Sequence, residues 1–480
     1  MQGVLPTSAA ESPRLRGDDI RLSMSRVITG WAFGTVFFQL SAGPVYASFA
    51  RQLGLSEGIF GFLAGVYPLM GFLQLVAARM LEGRITARSM MLWAGLICRS
   101  LWVVAAVLPF VHRFAPTILP RPYLVPVFVA CVVLSSIFQA FTGPSFFVWM
   151  SELVPGRVGP SFWAKRHQVG TVAGIGAVLL GGFVADQGAL VKEWTNGTIP
   201  PLQLYSAILA VAAVCGVIDI AVFFGVHHTA SEKKHEDKPP LLESLKAPLR
   251  ERQVRNYLAF TTLSMIGFAT TGPLTFLFCL EYLELSRTQT GLLLTIGPLI
   301  GIALSAPMWG RIAKVHGTRP MLRFASLFMI FVPIAWLLAT PENILAVAVV
   351  IFLSGAFSAA YEISNMNFIT RACPHLPRPT MTALFSLCAG VSFAISSTAG
   401  GFVAEHLDNW HFDFAGLSFV NFHVVFAFSL LPRLINALWI APKLEEEDAT
   451  PTREAVLEVG GSMAQAFGAR FTRFFEAREE

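Results

Sequence analysis

The chain has 480 residues, of which 54% are hydrophobic and only 14% are charged, and its formal net charge is +5. This composition, with a mean hydropathy of +0.60, excludes an ordinary water-soluble domain. The basic residues lie in loops between apolar stretches rather than on one soluble face, so no nucleic-acid partner is predicted.

Long apolar stretches separated by short polar loops run along most of the chain. A membrane-spanning helix needs about 20 largely apolar residues. Stretches of that length predict twelve spans, at residues 27–50, 58–80, 89–110, 123–148, 164–185, 203–226, 256–280, 289–310, 320–340, 344–369, 380–404 and 418–441. The predicted fold class is therefore an all-α membrane protein, with both termini on one side of the bilayer.

Lysine and arginine are distributed unequally between the two sets of loops. The loops on the side of the termini hold most of them, and Arg166 at the start of the fifth span is counted there. The opposite loops hold only Arg51, Arg113, Arg121, Lys192 and Arg287. The positive-inside rule places both termini of this multi-pass protein in the cytoplasm. We expect the inner membrane as its location, and no secretory signal peptide precedes the first span.

One long charged interruption, residues 227–255, lies near the middle of the chain and predicts a cytoplasmic linker. It separates a six-helix bundle at residues 27–226 from a second one at residues 256–441. Residues 1–26 are predicted to form a cytoplasmic N-terminal tail. Residues 442–480 are predicted to form a cytoplasmic amphipathic tail that lies on the bilayer or on the bundle, with a partner-binding helix as the alternative.

The two halves repeat each other at a nearly constant offset. Gly43-Pro44 recurs as Gly272-Pro273, Leu55-Ser56 recurs as Leu285-Ser286, and the stretch from Gly181 to Asp186 recurs as that from Gly400 to Glu405. An offset that changes only in loops indicates duplication of a six-helix unit. An even number of helices in the unit makes the two repeats parallel in topology.

A basic stretch from Gly310 to Pro320 joins the eighth and ninth predicted spans, and a weaker copy from Ala78 to Arg88 joins the second and third. These stretches resemble the loop signature of the major facilitator superfamily, in which a glycine, an acidic position, a second glycine and basic residues connect two helices on the cytoplasmic side. The resemblance covers the chain from about Arg26 to Pro442. It implies twelve transmembrane helices in two pseudo-symmetric six-helix bundles.

In that superfamily the loop latches neighbouring helices at the cytoplasmic face. The resemblance implies this role here for Glu82, Gly310, Gly317 and Arg319. Lys314 stands where the family has an acidic residue. A latch that works by charge pairing would therefore depend on Glu82, and Lys314→Asp should then change transport less than Glu82→Lys.

Among the charged residues inside predicted spans, Arg99, Asp219 and Glu362 stand out by their depth. Each costs about 2.5–3.5 kcal/mol at the centre of a membrane helix, so each is a functional candidate. Arg99 and Asp219 lie at similar depths, and the resemblance places their helices side by side. We favour a structural ion pair between them, with a substrate-binding arginine or unpaired snorkelling as alternatives.

Glu362 has no opposite charge at its depth in the sequence. Tyr361, Glu362 and Asn365 share one helical face with Ser358, and this face is polar for most of its length. The resemblance implies that spans one, four, seven and ten line a central cavity. Glu362 either carries a coupling proton or binds substrate, or it makes a structural hydrogen bond to a neighbouring helix, and the sequence favours neither.

Other polar and aromatic residues on the expected cavity-lining spans are Gln39 and Tyr46 in the first, Gln139 and Trp149 in the fourth, and Thr271 in the seventh. A few directed hydrogen bonds among apolar walls are typical of a pocket for a small organic solute. Hydrogen bonds between helices are the alternative role for each residue.

The sequence contains no nucleotide-binding loop, zinc-ligand helix or nucleophile elbow. We predict no enzyme, cofactor or metal site, but a monomeric secondary active transporter of a small-molecule substrate in the lipid bilayer. It would work by alternating access as a proton-coupled symporter or antiporter. The alternatives are an uncoupled facilitator, a non-transporting receptor or assembly factor on the same fold and, more remotely, a membrane enzyme.

Overall fold

The computed structural model describes residues 17–82, 85–155, 157–227, 246, 248–372, 378–414 and 417–446. Most of the predicted N-terminal tail, most of the predicted linker and the whole amphipathic part of the predicted C-terminal tail lie outside these residues. Contacts, distances and helix counts are given for the described part of the chain.

The helices of the first half follow the predicted spans closely. They are α1 (Gly17–Ala42), α2 (Pro44–Leu53), α3 (Glu57–Leu69), α4 (Leu73–Glu82), α5 (Ala87–Phe114), α6 (Arg121–Leu153), α7 (Gly159–Asp186), α8 (Gly188–Trp194) and α9 (Pro201–Val222). A short 3-10 turn joins α3 to α4, so together they form the second predicted span.

The second half contains α10 (Arg252–Glu281), α11 (Arg287–Gly291), α12 (Gly297–His316), α13 (Arg319–Phe328), α14 (Phe331–Leu337), α15 (Ile344–Ala372), α16 (Arg378–His406) and α17 (Asn421–Ile435). A π-helical turn, Leu292–Ile296, makes α11 and α12 one span. Another π-helical turn, Asn436–Ile440, and a 3-10 turn extend α17 to Lys443.

Eleven helical stretches in the described residues are long and apolar enough to cross a membrane. They coincide with the second to twelfth predicted spans, and α1 with α2 covers the first. Only 22–44% of the residues in their most apolar windows are buried within the protein. More than half of the residues in each of these windows are therefore at least partly exposed, as expected for helices with lipid-facing sides. The chain is a multi-pass membrane protein of the predicted all-α class.

Two glycines permit sharp changes of backbone direction between helices. Gly54 ends α2 with φ of 98°, and Gly317 follows α12 with φ of 81°. Residues with a side chain rarely adopt such positive φ values, because Cβ meets the neighbouring carbonyl group. Each glycine therefore permits a tight turn between helices.

The basic stretch beginning at Gly310 differs from the turn that the sequence predicts. The α12 helix does not end at Gly310 but continues to His316, and only Gly317 and Thr318 separate it from α13. Basic side chains at a helix C-terminus interact favourably with the helix dipole, which is consistent with Lys314 and His316 in the last turn. The signature is thus a helix end and a two-residue turn.

A β-hairpin precedes the last span, where the sequence predicts a plain loop. Strand β1 (His411–Phe414) pairs with the antiparallel strand β2 (Leu417–Val420), and Phe412 lies opposite Phe419. The alternation of aromatic and polar residues along β1 was a readable signal for a strand. This element is small and leaves the all-α class unchanged.

Contacts divide the described chain into two compact units. Unit 1 contains the described residues of Met1–Leu55, Met70–Lys238 and Ser286–Gly291, and unit 2 contains those of Ser56–Leu69, Pro239–Leu285 and Leu292–Glu480. In unit 1, α5 packs against α6 and α9, and α1 packs against α7 and α9. In unit 2, α3 and α10 pack against α16, and α12 packs against α15. The bundle boundaries drawn from the linker remain a prediction.

Candidate functional site

Arg99 and Asp219 meet inside unit 1. Arg99 Nη2 on α5 lies 3.5 Å from Asp219 Oδ2 on α9, and the two side chains are 4% and 8% exposed. Gly34 on α1 provides room for the carboxylate, since a Cβ atom there would lie 2.6 Å from Asp219 Oδ2. Gly216 provides the same room for Arg99 Cδ. The glycines of adjacent helices thus let a buried ion pair form at this depth.

Gln139 completes the surroundings of this ion pair. Arg99 Nη1 donates to Gln139 Oε1 at 3.1 Å, and Gln139 Nε2 donates to Thr142 Oγ1 at 2.9 Å. The guanidinium of Arg99 also lies over the ring of Phe37, with 4.1 Å from Cζ to the ring centroid. A ring face attracts a cation in a desolvated site. The arginine is therefore held by a carboxylate, an amide and an aromatic face.

Arg166 is a second arginine of this region, and sequence reasoning missed it by counting it as a loop charge. It lies within α7, where its guanidinium stacks 3.8 Å from the ring centroid of Trp31 and 4.8 Å from that of Phe146. Gly170 accommodates the indole, because a Cβ atom there would overlap Trp31 Nε1. The spacing of Trp163, Arg166 and Gly170 on one helical face was the available signal.

The charges in this cluster do not balance. Arg166 interacts electrostatically with Asp219, the same carboxylate that pairs with Arg99. No other carboxylate is recorded near either arginine in the described residues, and Arg166 Nε is buried without a hydrogen-bond partner. Two arginines and one aspartate leave an excess of positive charge between α1, α5, α7 and α9.

Glu362 lies on α15 in unit 2 and its side chain is exposed. Within the described residues no hydrogen bond or ion pair is recorded for it. Its neighbours on the same face are engaged, since Tyr361 stacks on Phe260 with ring centroids 5.9 Å apart and Tyr257 donates to the backbone oxygen of Asn365 at 3.0 Å. The carboxylate is thus accessible while the residues beside it are packed.

The remaining cavity candidates occupy different surroundings. Tyr46, Trp149 and Thr271 are 9%, 0% and 4% exposed, respectively, so they lie in packed interior. Trp149 Nε1 donates to the backbone oxygen of His227 at 3.1 Å. Gln39 on α1 is half-buried and lies beside Gly174 of α7. Within the described part of the chain, none of these four residues has a recorded hydrogen bond or ion pair with Arg99 or Asp219, unlike Gln139.

Arg433 is a further buried arginine that sequence reasoning did not single out. It lies on α17 in unit 2, is 7% exposed, and donates to the backbone oxygens of Met329 at 2.8 Å and Gly267 at 2.9 Å. The Met329 carbonyl is available because the helix breaks between α13 and α14. In the described residues no carboxylate pairs with Arg433, which connects three helices through backbone groups instead.

An unexpected carboxylate contacts the loop signature. Glu446, which follows the last span, is 7% exposed, and its Oε2 accepts from Thr318 N at 2.8 Å, Thr318 Oγ1 at 3.0 Å and Arg319 N at 2.7 Å. Thr318 immediately precedes α13 and Arg319 begins it, and at a helix start unsatisfied N–H groups and the helix dipole favour a negative charge. Lys314 is exposed, and the side chain of Glu82 lies outside the described residues.

Neighbouring contacts hold Glu446 in place. Leu444 is fully buried beside Tyr257 and Leu322. Arg323 Nε donates to the backbone oxygen of Ala441 at 3.1 Å, and Asn256 Nδ2 donates to that of Lys443 at 3.2 Å. The segment from Ala441 to Glu446 therefore joins the start of α10 to the start of α13. We call this segment the C-terminal clasp.

Two acidic residues at repeat-related positions cap the starts of helices. In unit 1, Asp186 Oδ1 accepts from Arg287 N at 2.7 Å and its Oδ2 accepts from Thr288 N at 3.0 Å. In unit 2, Glu405 Oε2 accepts from Gly58 N at 3.1 Å. Asp186 and Glu405 correspond in the sequence repeat, and so do Thr288 and Gly58. The duplication therefore extends to individual capping hydrogen bonds.

Solved structures resemble this fold over most of the chain. The nucleoside transporter NupG matches with a TM-score of 0.67 at 12% identity, covering 89% of this chain and 100% of that one. A bacterial homologue of the human lysosomal transporter Spinster matches with a TM-score of 0.62 at 13% identity, covering 89% of this chain and 96% of that one. A bacterial homologue of the iron transporter ferroportin matches with a TM-score of 0.63 at 15% identity, covering 88% of this chain and 98% of that one. At these identities the likeness shows the fold alone.

Sequence comparison decides the family. No curated protein matches the chain significantly. The family model described as Major Facilitator Superfamily matches residues 27–280 and again residues 257–474, so that its two matches follow the two repeats and cover nearly the whole chain. This family consists of membrane transporters rather than enzymes, and the present chain belongs to the major facilitator superfamily.

Proposed function

We propose that this protein is a proton-coupled secondary active transporter that moves a small organic solute across the inner membrane by alternating access, with both termini in the cytoplasm. The observation that carries the coupling part of this proposal is Glu362, an accessible carboxylate inside a membrane span with no bonded partner in the described residues. A charged group at this depth is costly, and such groups mark ion and proton pathways. An uncoupled facilitator would not need it.

The test is solute accumulation in vesicles under an imposed pH gradient. Because one pH unit corresponds to about a tenfold ratio, one proton per solute supports up to about tenfold accumulation per unit of gradient. Glu362→Gln, which cannot release a proton, is expected to abolish accumulation and to preserve exchange of solute across the membrane. Uptake that ignores the pH gradient, or accumulation that survives in Glu362→Gln, would favour the facilitator.

Glu342 supplies the matched control for this experiment. It is an exposed carboxylate in the turn just before α15, outside the polar face of that helix. Glu342→Gln makes the same chemical change on the same segment and is expected to leave accumulation unchanged. If both variants lose accumulation to the same extent, the effect does not come from a coupling proton at Glu362.

We infer further that the transported solute carries a negatively charged group. The support is the excess positive charge of the Arg99, Asp219 and Arg166 cluster, together with the unsatisfied donor on Arg166. Guanidinium groups bind carboxylates and phosphates with paired hydrogen bonds, and the Trp31 and Phe146 rings keep this one in a fixed plane. A solute anion would supply the missing charge.

This inference is tested by thermal unfolding of the purified protein with matched probes. Succinate and benzoate are compared with succinamide and benzamide, and phosphate monoesters with their parent alcohols. Stabilisation is expected to be confined to anions and to fall about tenfold in apparent affinity in Arg166→Gln, since a hydrogen bond to a charged group is lost. The inference would be contradicted if only neutral probes stabilised the protein or if no anion did. It would also be contradicted if Arg166→Gln left the stabilisation by anions unchanged.

Alternating access also requires contacts that break and reform as the repeats move. We infer that the caps at Asp186 and Glu405 belong to this set, because each accepts hydrogen bonds from the backbone of a segment more than a hundred residues away in the chain. Their equivalence in the two repeats supports a shared role.

A further inference from the structure

A groove opens on the surface of unit 1, between α5 and the end of α9. Its volume is about 610 Å³, which lies within the range of about 300–1,000 Å³ that is usual for sites that bind small ligands. Arg88 and Ser89 lie at one end, whereas Leu92, Trp93, Leu96 and Phe224 form the wall. The groove is therefore polar at one end and apolar along the rest of its length.

The length of the groove corresponds to one leaflet of a bilayer. It follows α5 from Thr86 to Ile97, and at about 1.5 Å per residue this distance is about 16 Å. The hydrocarbon core of a bilayer is about 30 Å thick. A groove that starts at the end of a span and covers half of that thickness matches a single acyl chain.

The apolar wall contains large side chains that the protein leaves uncovered. Trp93 is 65% exposed and Phe224 is 52% exposed. Both flank the groove near the end of a span, where aromatic residues are enriched at the boundary between lipid and water. An apolar ligand in the groove would cover surface that no other part of the described chain covers.

The polar end is suited to an anion. Arg88 Nη2 donates to the backbone oxygen of Phe224 at 2.8 Å, which holds the guanidinium at the mouth, while its Nε is buried without a partner. None of the carboxylates whose side chains are described pairs with Arg88. Ser89 is exposed beside it, and the N-terminus of α5 adds partial positive charge. Positive charge at this end therefore has no counter-charge within the described chain.

We propose that this groove binds one anionic phospholipid of the adjacent leaflet. The headgroup phosphate is held by Arg88 and Ser89, and one acyl chain lies along Leu92, Trp93 and Leu96. Basic pockets between transmembrane helices on the cytoplasmic side are typical sites for anionic headgroups. The proposal is independent of the transported solute and of the coupling ion, since none of the lining residues belongs to the solute or coupling sites proposed above.

The test uses purified full-length protein in detergent and measures bound lipid by native mass spectrometry. The probes are phosphatidylglycerol, phosphatidylcholine and inorganic phosphate. Phosphatidylglycerol is expected to bind more tightly than phosphatidylcholine, and inorganic phosphate at the same concentration is expected not to displace it. Equal binding of the two lipids, or displacement by phosphate, would overturn the proposal, the latter in favour of a free-anion site.

Three variants separate the headgroup from the chain. Arg88→Gln is expected to weaken phosphatidylglycerol binding about tenfold, because a hydrogen bond to a charged group is lost, and Arg88→Lys is expected to restore most of it. Leu96→Trp fills the groove and is expected to weaken both lipids. Wild-type lipid affinity in Arg88→Gln or in Leu96→Trp would overturn the proposal.

Arg311→Gln is the matched control. Arg311 is an exposed arginine on α12, near the end of a span on the same predicted side of the membrane. The Arg311→Gln variant is expected to bind both lipids as the parent protein does. If its affinity for phosphatidylglycerol fell as much as that of Arg88→Gln, the effect would be a general one of surface charge, and the proposed site would be overturned. Thermal unfolding without lipid establishes that all variants are folded.

Discussion

Replacing either Arg99 or Asp219 alone with leucine is expected to cost about 3–5 kcal/mol of the free energy of unfolding, because each change leaves a buried charge without its partner. Replacing both is expected to cost less than either single change, since an apolar pair of similar volume often substitutes for a buried ion pair, although Arg166 then also loses its interaction with Asp219. Both expectations rest on the 3.5 Å contact between the side chains of Arg99 and Asp219, which are nearly inaccessible to solvent.

Unfolding in detergent and solute flux in vesicles are measured on the same four proteins. A double variant that folds and transports, while each single variant fails, identifies the pair as structural. A double variant that folds but does not transport identifies Arg99 or Asp219 as part of the solute site. Arg311→Leu serves as the control, because substitutions of exposed residues usually change stability by less than about 0.5 kcal/mol. Single variants as stable as this control would contradict the prediction.

Replacing Glu446 with alanine is expected to destabilise the protein by about 2–3 kcal/mol, because the buried N–H groups of Thr318 and Arg319 and the Thr318 hydroxyl lose their acceptor. Glu446→Gln keeps an acceptor oxygen and loses only the charge beside the helix N-terminus. It is therefore expected to cost no more than about 1 kcal/mol. The measurement is thermal or denaturant unfolding, with limited proteolysis reporting release of the C-terminal clasp.

The neighbouring residue provides the control for this prediction. Glu445 is exposed, and its Oε2 accepts from Gln253 Nε2 at 2.9 Å. Its replacement therefore measures the effect of removing a solvent-exposed carboxylate from the same segment. Glu445→Ala is expected to cost less than about 1 kcal/mol. Equal effects of Glu445→Ala and Glu446→Ala would show that the capping hydrogen bonds do not hold the clasp.

The position of Glu446 also offers a physical reason why this chain has Lys314 where the family signature has an acid. From the sequence, Lys314 removes the acid that the family signature has at this position, and Glu82 remains as the candidate for charge pairing. The structure supplies a different carboxylate, since Glu446 reaches the two residues that follow the signature glycine, Gly317. We infer that this cap makes an acid at Lys314 unnecessary in this repeat. The expected small effect of Lys314→Asp therefore has a reason that does not depend on Glu82.

Hydropathy and repetition made much of the fold predictable. Apolar stretches long enough to cross a bilayer are a property of composition alone, and most helices begin and end within a few residues of them, as α5 and α16 illustrate. The exception is α1, which begins at Gly17, ten residues before the first predicted span. The repeat was visible because glycine and proline recur where helices approach closely or bend. The hairpin at β1 and β2 was predictable in principle, but a search for spans ignores a strand of four residues.

The candidate site was less predictable, because the environment of a charge depends on what folds around it. Arg166 is the clearest example, since a count of loop charges treats any arginine at the end of a span as solvated. Its stacking on Trp31 becomes visible only when α1 lies against α7. Arg433 was missed because its partners are backbone carbonyls, which carry no sequence signature.

The class of protein, the order of the spans, the duplication and the superfamily can all be read from the amino-acid sequence, because they follow from composition, periodicity and local motif. Which charges meet depends instead on the folded arrangement. Asp186 caps a segment more than a hundred residues away, and Glu446 caps α13 from the far end of the second repeat. Such pairs depend on the packing of whole helices, and a hydrogen bond of about 3 Å between distant residues leaves no trace in their spacing along the chain.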